Sequence, residues 1–396
     1  MQRTMQRLLI AAVGTATIGL VLVSGLWAES KPTKAVVASN AESGGNPATG
    51  KPALLEVQAG QQTWQGLNFG RTANLLVLLT RDGQLRRIEL DRDSEVRELG
   101  RPFEPTGQRD LEAALRKEFG PKFKTLRTPH YVICHNTSEA FAQETADLVE
   151  QLYRAFTGFW GARGMKLERP QFPMIVLIFD TEAEFRSYVT STPGASTLSQ
   201  VAGIYSVETN RIAMFNAAGK ETKKFGDTRW HNQSTLIHEA THQIAFNSGC
   251  HRRLADTPTW FIEGLAMYFE APEIQGNKIV WQAVGKMNPP RLDRFTSFRK
   301  KGRQSDSLKA LVTGDQRFRD DASANDAYAE SWALTYFLVN QRTPQFLRYV
   351  RAMTAKPALE QDTTQQRLED FQDAFGRDLR LLDVSFLRYF DDLAKK

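Results

Sequence analysis

"STLIHEATHQIAF", Ser234 to Phe246, decides how the chain is read. It places His238 and His242 four residues apart, with Glu239 beside the first, in a chain with only six histidines. On an α-helix such positions lie one turn above the other on one face, so both imidazoles can aim at a single point. Glu239 is rotated about 100° from His238 and flanks that point without being a ligand. This is the H-E-x-x-H arrangement, in which two imidazoles hold zinc and the glutamate handles protons. The helix is expected to start after "WHNQS", with Asn232 or Ser234 as its cap, and to stop at Gly249.

A catalytic zinc needs a third protein ligand and an open position for water. Downstream runs "DTPTWFIEGLAMYFEAP", Asp256 to Pro272, which reads as a helix with Thr257 as cap and Pro258 at its first position. Glu263 is a carboxylate in a largely apolar helix, and such a group is seldom buried unless paired or bound to metal. Glu270 lies two turns on, on nearly the same face. It competes as third ligand, or else orients a histidine. Spacing alone leaves both open.

"HEATH" followed by "WFIEGLAMYFE" resembles the gluzincin metallopeptidases, the thermolysin-like zinc enzymes whose ligands are two His and one Glu. The second motif looks especially like the "W-L-x-E-G-x-A-x-Y-x-E" segment of aminopeptidase N-type enzymes. There the Glu before Gly is the third ligand, which implies Glu263. "AYAESWALTYFL" resembles their later tyrosine helix and implies Tyr328 as the donor to the oxyanion. The "G-x-M-E-N" motif that reads a free amine is missing, so aminopeptidase specificity is not implied. Its nearest counterpart is the hairpin "GIYSVETNRIAMF", whose edge strand is expected to pair with extended substrate. Through "TPHYVICH", "HEATHQ", "EGLAMYFE" and "AESWAL", residues 106–396 also resemble a bacterial family of exported, gluzincin-like proteins.

The rest of the chain supplies context. With 396 residues, 41% hydrophobic and 10% aromatic, it can bury a large core and is not disordered. The net charge of +6 comes from 51 basic against 45 acidic residues, a mixed surface that excludes a nucleic-acid footprint. The densest basic run, Arg291 to Arg303, reads as a solvated loop or helix face. Arg3 and Arg7 precede an uncharged stretch from Leu8 to Trp27, and about 20 apolar residues can span a bilayer. Residues 1–28 are therefore a signal peptide or a signal anchor, and the body lies outside the cytoplasm. Residues 29–52, rich in Gly, Ser and Pro, make a flexible tether. Residues 53–105 form a small β element with a hairpin at Asp82-Gly83, and 106–396 the metallopeptidase-like body.

The expected fold class is α+β, with a mixed sheet layer before the histidine helix and a mainly helical C-terminal part. Cys134 reads as a buried small hydrophobe, although export permits a bridge to Cys250. His251 reads as a loop residue; His130, His135 and His231 read as surface or cap positions. The expected function is a Zn²⁺-dependent, exported or membrane-anchored peptidase acting on peptide or protein substrates, with Glu239 as general base. The alternatives are a catalytically inactive envelope protein that keeps the fold and binds a partner, and a hydrolase of non-peptide amides. No Gly-rich phosphate loop or Gly-x-Ser-x-Gly elbow points to other chemistry.

Overall fold

The structure is a computed structural model that describes residues 19–21, 53–192, 201–217, 225–271, 273–275, 278–280 and 285–395. The expected tether therefore lies outside the described residues. So does the hydrophobic N-terminal segment, apart from the strand β1 (Gly19–Val21). Among the described residues, no helix is long and apolar enough to cross a membrane.

The chain then builds an antiparallel sheet from β2 (Ala53–Ala59), β3 (Gln62–Arg71), β4 (Leu75–Leu79), β5 (Leu85–Glu89) and β6 (Glu95–Pro102), in the order β5-β4-β3-β2-β6. Asp82-Gly83 makes the expected hairpin, and Gly83 adopts φ 85°, a conformation that favours glycine. The β4–β5 turn docks on the next part of the chain. Leu85 N–H donates to the Glu208 carbonyl, Arg87 pairs with Glu208 at 2.6 Å, and Arg253 donates to the Gly83 carbonyl.

The second sheet uses β7 (Lys124–Arg127), β8 (Tyr131–His135), β9 (Met174–Phe179), β10 (Gly203–Ser206) and β11 (Arg211–Phe215), in the order β1-β10-β11-β9-β8-β7. Strands β8, β9 and β11 are parallel; β7 runs antiparallel to β8 and β10 antiparallel to β11, while β1 pairs in parallel with β10. The runs "YVICH" and "MIVLIF" are buried throughout because helices cover both faces. Tyr131, Ile133, Met174 and Val176 point to the core beneath α2 (Glu139–Gly161) and the histidine helix. Val132, Cys134, Ile175 and Leu177 point to the opposite core, with α1 (Gln108–Phe119) and α3 (Glu182–Ser191). This period-2 split puts Cys134 on one side of the sheet and Cys250 in the core on the other. Both are buried and free, so the bridge that export permits does not form.

The remaining described residues are mainly helical: α4 (Phe225–Asn247), α5 (Thr259–Phe269), a two-stranded ribbon of β12 (Glu273–Gln275) and β13 (Lys278–Val280), then α6 (Pro289–Lys301), α7 (Ser307–Thr313), α8 (Gln316–Arg319), α9 (Ala324–Gln341), α10 (Thr343–Ala355), α11 (Thr364–Phe375) and α12 (Leu379–Leu393). The α+β layout is the one expected. Helix α5 is buried from Trp260 to Phe269, consistent with a helix that is apolar all round. The basic run forms a helix face on which Arg294, Lys300 and Lys301 are exposed, as read, but its two ends turn inward: the Arg303 side chain packs against Glu330 and Asp383, and Arg291 reaches Glu270.

Candidate metal centre

Helix α4 carries His238 and His242, and its position is fixed from below. The Gln243 side chain donates to the Asn210 carbonyl at 2.9 Å and to the Ile175 carbonyl at 3.1 Å, tying the helix to the sheet. Gly203 lets β10 come close, because a Cβ there would stand 2.8 Å from Thr235 Cγ2. The helix starts seven residues before Asn232, at Phe225, so neither expected cap caps it. Asn232 reaches instead to Asn216 and the Ala217 N–H, and Ser234 donates to Glu270 at 3.2 Å. Their tertiary partners, and not a helix end, account for these polar groups.

Helix α5 brings Glu263 up to the two imidazoles. Nε2 of His238 and Nε2 of His242 are 3.1 Å apart; Glu263 Oε2 lies 3.2 Å from the first and Oε1 3.7 Å from the second. The three side chains are at most 1% exposed. Ligand bonds of about 2.0–2.2 Å arranged tetrahedrally would set donor atoms about 3.3 Å apart, close to this spacing. His238, His242 and Glu263 thus form a buried group able to hold a metal ion.

Glu270 is not part of that group. Its Oε2 lies 3.3 Å from His238 Nδ1, the nitrogen turned away from Glu263. Ser234 and Arg291, the latter at 3.6 Å, hold its other contacts. A carboxylate so placed fixes the imidazole's tautomer and points Nε2 inward. Of the two roles open in the sequence, the structure supports orientation.

The ionisable groups of the pocket are tightly coupled. Burial raises the Glu239 carboxyl well above the ordinary range, against the pull of His238. No side chain hydrogen-bonds its oxygens, and the Tyr205 backbone N–H is the donor turned toward it. Burial alone would lower His238, but Glu263 and Glu270 outweigh it and push the imidazole up to about 10. Burial, then the neighbouring His238 charge, draws His242 well below its usual value. Burial opposes ionisation of Glu270 too, yet Arg291 and His238 hold it down to about 2. Without an ion, the carboxylates of Glu263 and Glu270 are answered by the His238 imidazole and the Arg291 guanidinium, so a metal ion would take the place of a proton on His238.

Tyr328, at the start of α9, is half-buried and packs edge-on against Phe318 at 5.3 Å. Burial raises its hydroxyl, and the negative charges of Glu263 and Glu239 add to the shift, which places it within electrostatic range of both. The other histidines are elsewhere. His251 is a loop residue as expected, but buried between Phe246 and Phe261. His135 is buried at the end of β8, not on the surface, and His130 pairs with Glu150 at 2.9 Å. The His231 side chain lies outside the described residues. The outer side of β10, expected to be open to substrate, is paired in parallel with β1.

The family whose pattern matches the chain is described as "Protein of unknown function (DUF1570)", over residues 232–360. That span holds the metal-capable triad. It also contains Glu239, Glu270 and Tyr328, and covers about a third of the chain. No curated protein matches the sequence. Sequence reasoning missed Arg291, which had no signal beyond a basic run, and Asp315, which meets the first N–H of α5 from 56 residues away.

Proposed function

We propose that the chain is a zinc-dependent peptidase, exported or held at the membrane by its N-terminal hydrophobic segment. The observation that carries this reading is the convergence of His238, His242 and Glu263 beside a buried Glu239 that no side chain hydrogen-bonds. The resemblance of "HEATH" and "WFIEGLAMYFE" to the gluzincins supports it. Zinc held by the triad would supply Lewis acidity and lower the pKa of adjacent water toward about 7. Glu239 accepts a proton from the attacking water and returns it to the leaving amine. Tyr328 keeps its proton, because burial and nearby carboxylates raise its pKa, and donates to the developing oxyanion. Glu270 holds the His238 ring throughout, and Arg291 holds Glu270.

A binding protein that keeps this fold has no use for a carboxyl buried beside the triad with no side-chain partner, which favours the enzyme. The test is Glu239→Gln beside the wild-type chain, with zinc content and cleavage of a peptide library as readouts. One zinc per chain in both, with turnover only in the wild type, is the expected result. Zinc without turnover in either leaves the binding protein, and no zinc in either removes the metal.

A further inference from the structure

Helix α5 has no cap of its own: Pro258 sits at the N-cap position, and the Thr257 hydroxyl expected to cap it has no partner. The first helical N–H, at Thr259, is met instead by Oδ1 of Asp315, 56 residues later in the chain, at 3.0 Å. Asp315 is held in turn. Its Oδ2 accepts from Arg367 at 2.8 Å, and the same guanidinium bonds Asp256, just before α5, at 2.6 Å. A carboxylate there also answers the positive end of the helix dipole, one turn from Glu263. The next residues reach the other wall of the site. Arg317 donates to Glu330 on α9 at 2.7 Å, and Phe318 packs edge-on against the Tyr328 ring. The Phe318 N–H closes the turn on the Asp315 carbonyl at 3.1 Å.

We propose that the turn Asp315–Phe318 sets the metal site's two walls against each other. Asp315 is a positioning residue for the ligand Glu263, and Phe318 one for Tyr328. The first half requires only that the triad binds metal; the second rests on the peptidase reading.

The two halves are tested in the full chain, with Co²⁺ as the probe of the triad. Asp315→Ala is expected to weaken Co²⁺ binding about tenfold, in line with the loss of groups that orient ligands, and to change the visible absorption of the Co²⁺ form. Asp315→Asn, which keeps an oxygen facing Thr259, is expected to restore both to near wild type. Val57→Ala, in the buried core of the first sheet, is the control for stability loss alone. Wild-type Co²⁺ affinity and spectrum in Asp315→Ala would overturn the first half; so would an Asn variant as damaged as Ala, or a control that shifts the spectrum equally. If Asp315→Ala does not fold, Arg367→Gln, which takes the guanidinium from the Asp315 carboxylate, replaces it with the same expected change in affinity and spectrum, and wild-type values there would overturn the first half. Phe318→Leu is expected to leave Co²⁺ binding within about twofold while kcat falls about tenfold at constant KM. Equal loss of metal binding, or unchanged kcat, would overturn the second half. A wild type that binds Co²⁺ but cleaves no peptide would refute the peptidase reading and the second half with it, leaving the first decided by the spectra.

Discussion

Gly264→Ala is the sharpest test of how the ligand helix is held, because it alters no metal donor. Gly264 follows Glu263 and faces α9. A Cβ there would lie 2.2 Å from Thr335 Oγ1, which can rotate, and 2.7 Å from the Ser331 carbonyl oxygen, which cannot. Ordinary contact begins near 3.4 Å. Helix α5 must therefore retreat from α9 by about 0.7 Å in a core with little free volume. Metal–ligand distances tolerate only about 0.2 Å, so Glu263 should leave bonding range of a shared ion. The stability cost is smaller. Overpacking costs about 1–3 kcal/mol, and replacing Gly by Ala within a helix returns about 1 kcal/mol. The expected result is a metal affinity at least about tenfold weaker, or ~1.4 kcal/mol, with only a modest fall in the Tm of the metal-free protein. Competition with a chromophoric chelator and thermal melts measure the two quantities. Adding Thr335→Ala should not restore affinity, since the Ser331 carbonyl remains. A variant that binds metal like the wild type and melts at a higher temperature would show that helix propensity, not close packing, governs this position, and would refute the reasoning.

Four further outcomes follow from the same geometry. Glu270→Gln, which removes the charge behind His238 but no ligand, should weaken metal binding by about 10–100-fold; an unchanged Kd in a chelator titration would show the histidine to be oriented by other means. Tyr328→Phe should lower kcat about 10²–10³-fold with little change in KM, as for loss of one oxyanion donor, and equal losses in both constants would remove it from that role. In the metal-free fold His238 is pushed up to about 10, so its ion pairs add stability below its ordinary value near 6.5 and lose it as pH rises toward 10. Metal must displace that proton, so affinity should climb by up to about tenfold per pH unit across this window, with proton release in calorimetry; a flat pH profile would contradict the assignment. Arg253→Met leaves the Gly83 carbonyl without its buried donor, a loss of about 1.5–3 kcal/mol, and should speed hydrogen exchange in β4 and β5 before the rest of the chain.

The histidine helix was legible because its signal is local. Four-residue spacing fixes a shared face in any helix, and the apolar "WFIEGLAMYF" run could only be a buried helix of about that length. The hairpin at Asp82-Gly83 and the Gly120 and Gly249 stops were legible for the same reason, each resting on one residue's backbone preference. Caps were not. Asn232, Ser234 and Thr257 all satisfy local rules for an N-cap, yet two lie inside a helix and the third yields to Asp315. A polar side chain takes whichever donor or acceptor the folded chain brings nearest, and sequence distance says nothing of that.

By itself, then, the sequence determined which side chains carry the chemistry: two imidazoles one turn apart, a glutamate beside them, and a second helix with carboxylates at Glu263 and Glu270. Only the tertiary structure decided between those carboxylates. Glu263 meets the histidines' Nε2 atoms and Glu270 meets Nδ1 of His238, on opposite sides of one ring. That choice depends on how α5 crosses α4, and the crossing is set by Gly264 against α9 and by Asp315 at the helix start. Helical periodicity fixes the direction of a side chain around its own axis; the direction of one axis relative to another is fixed by packing between segments far apart in the chain.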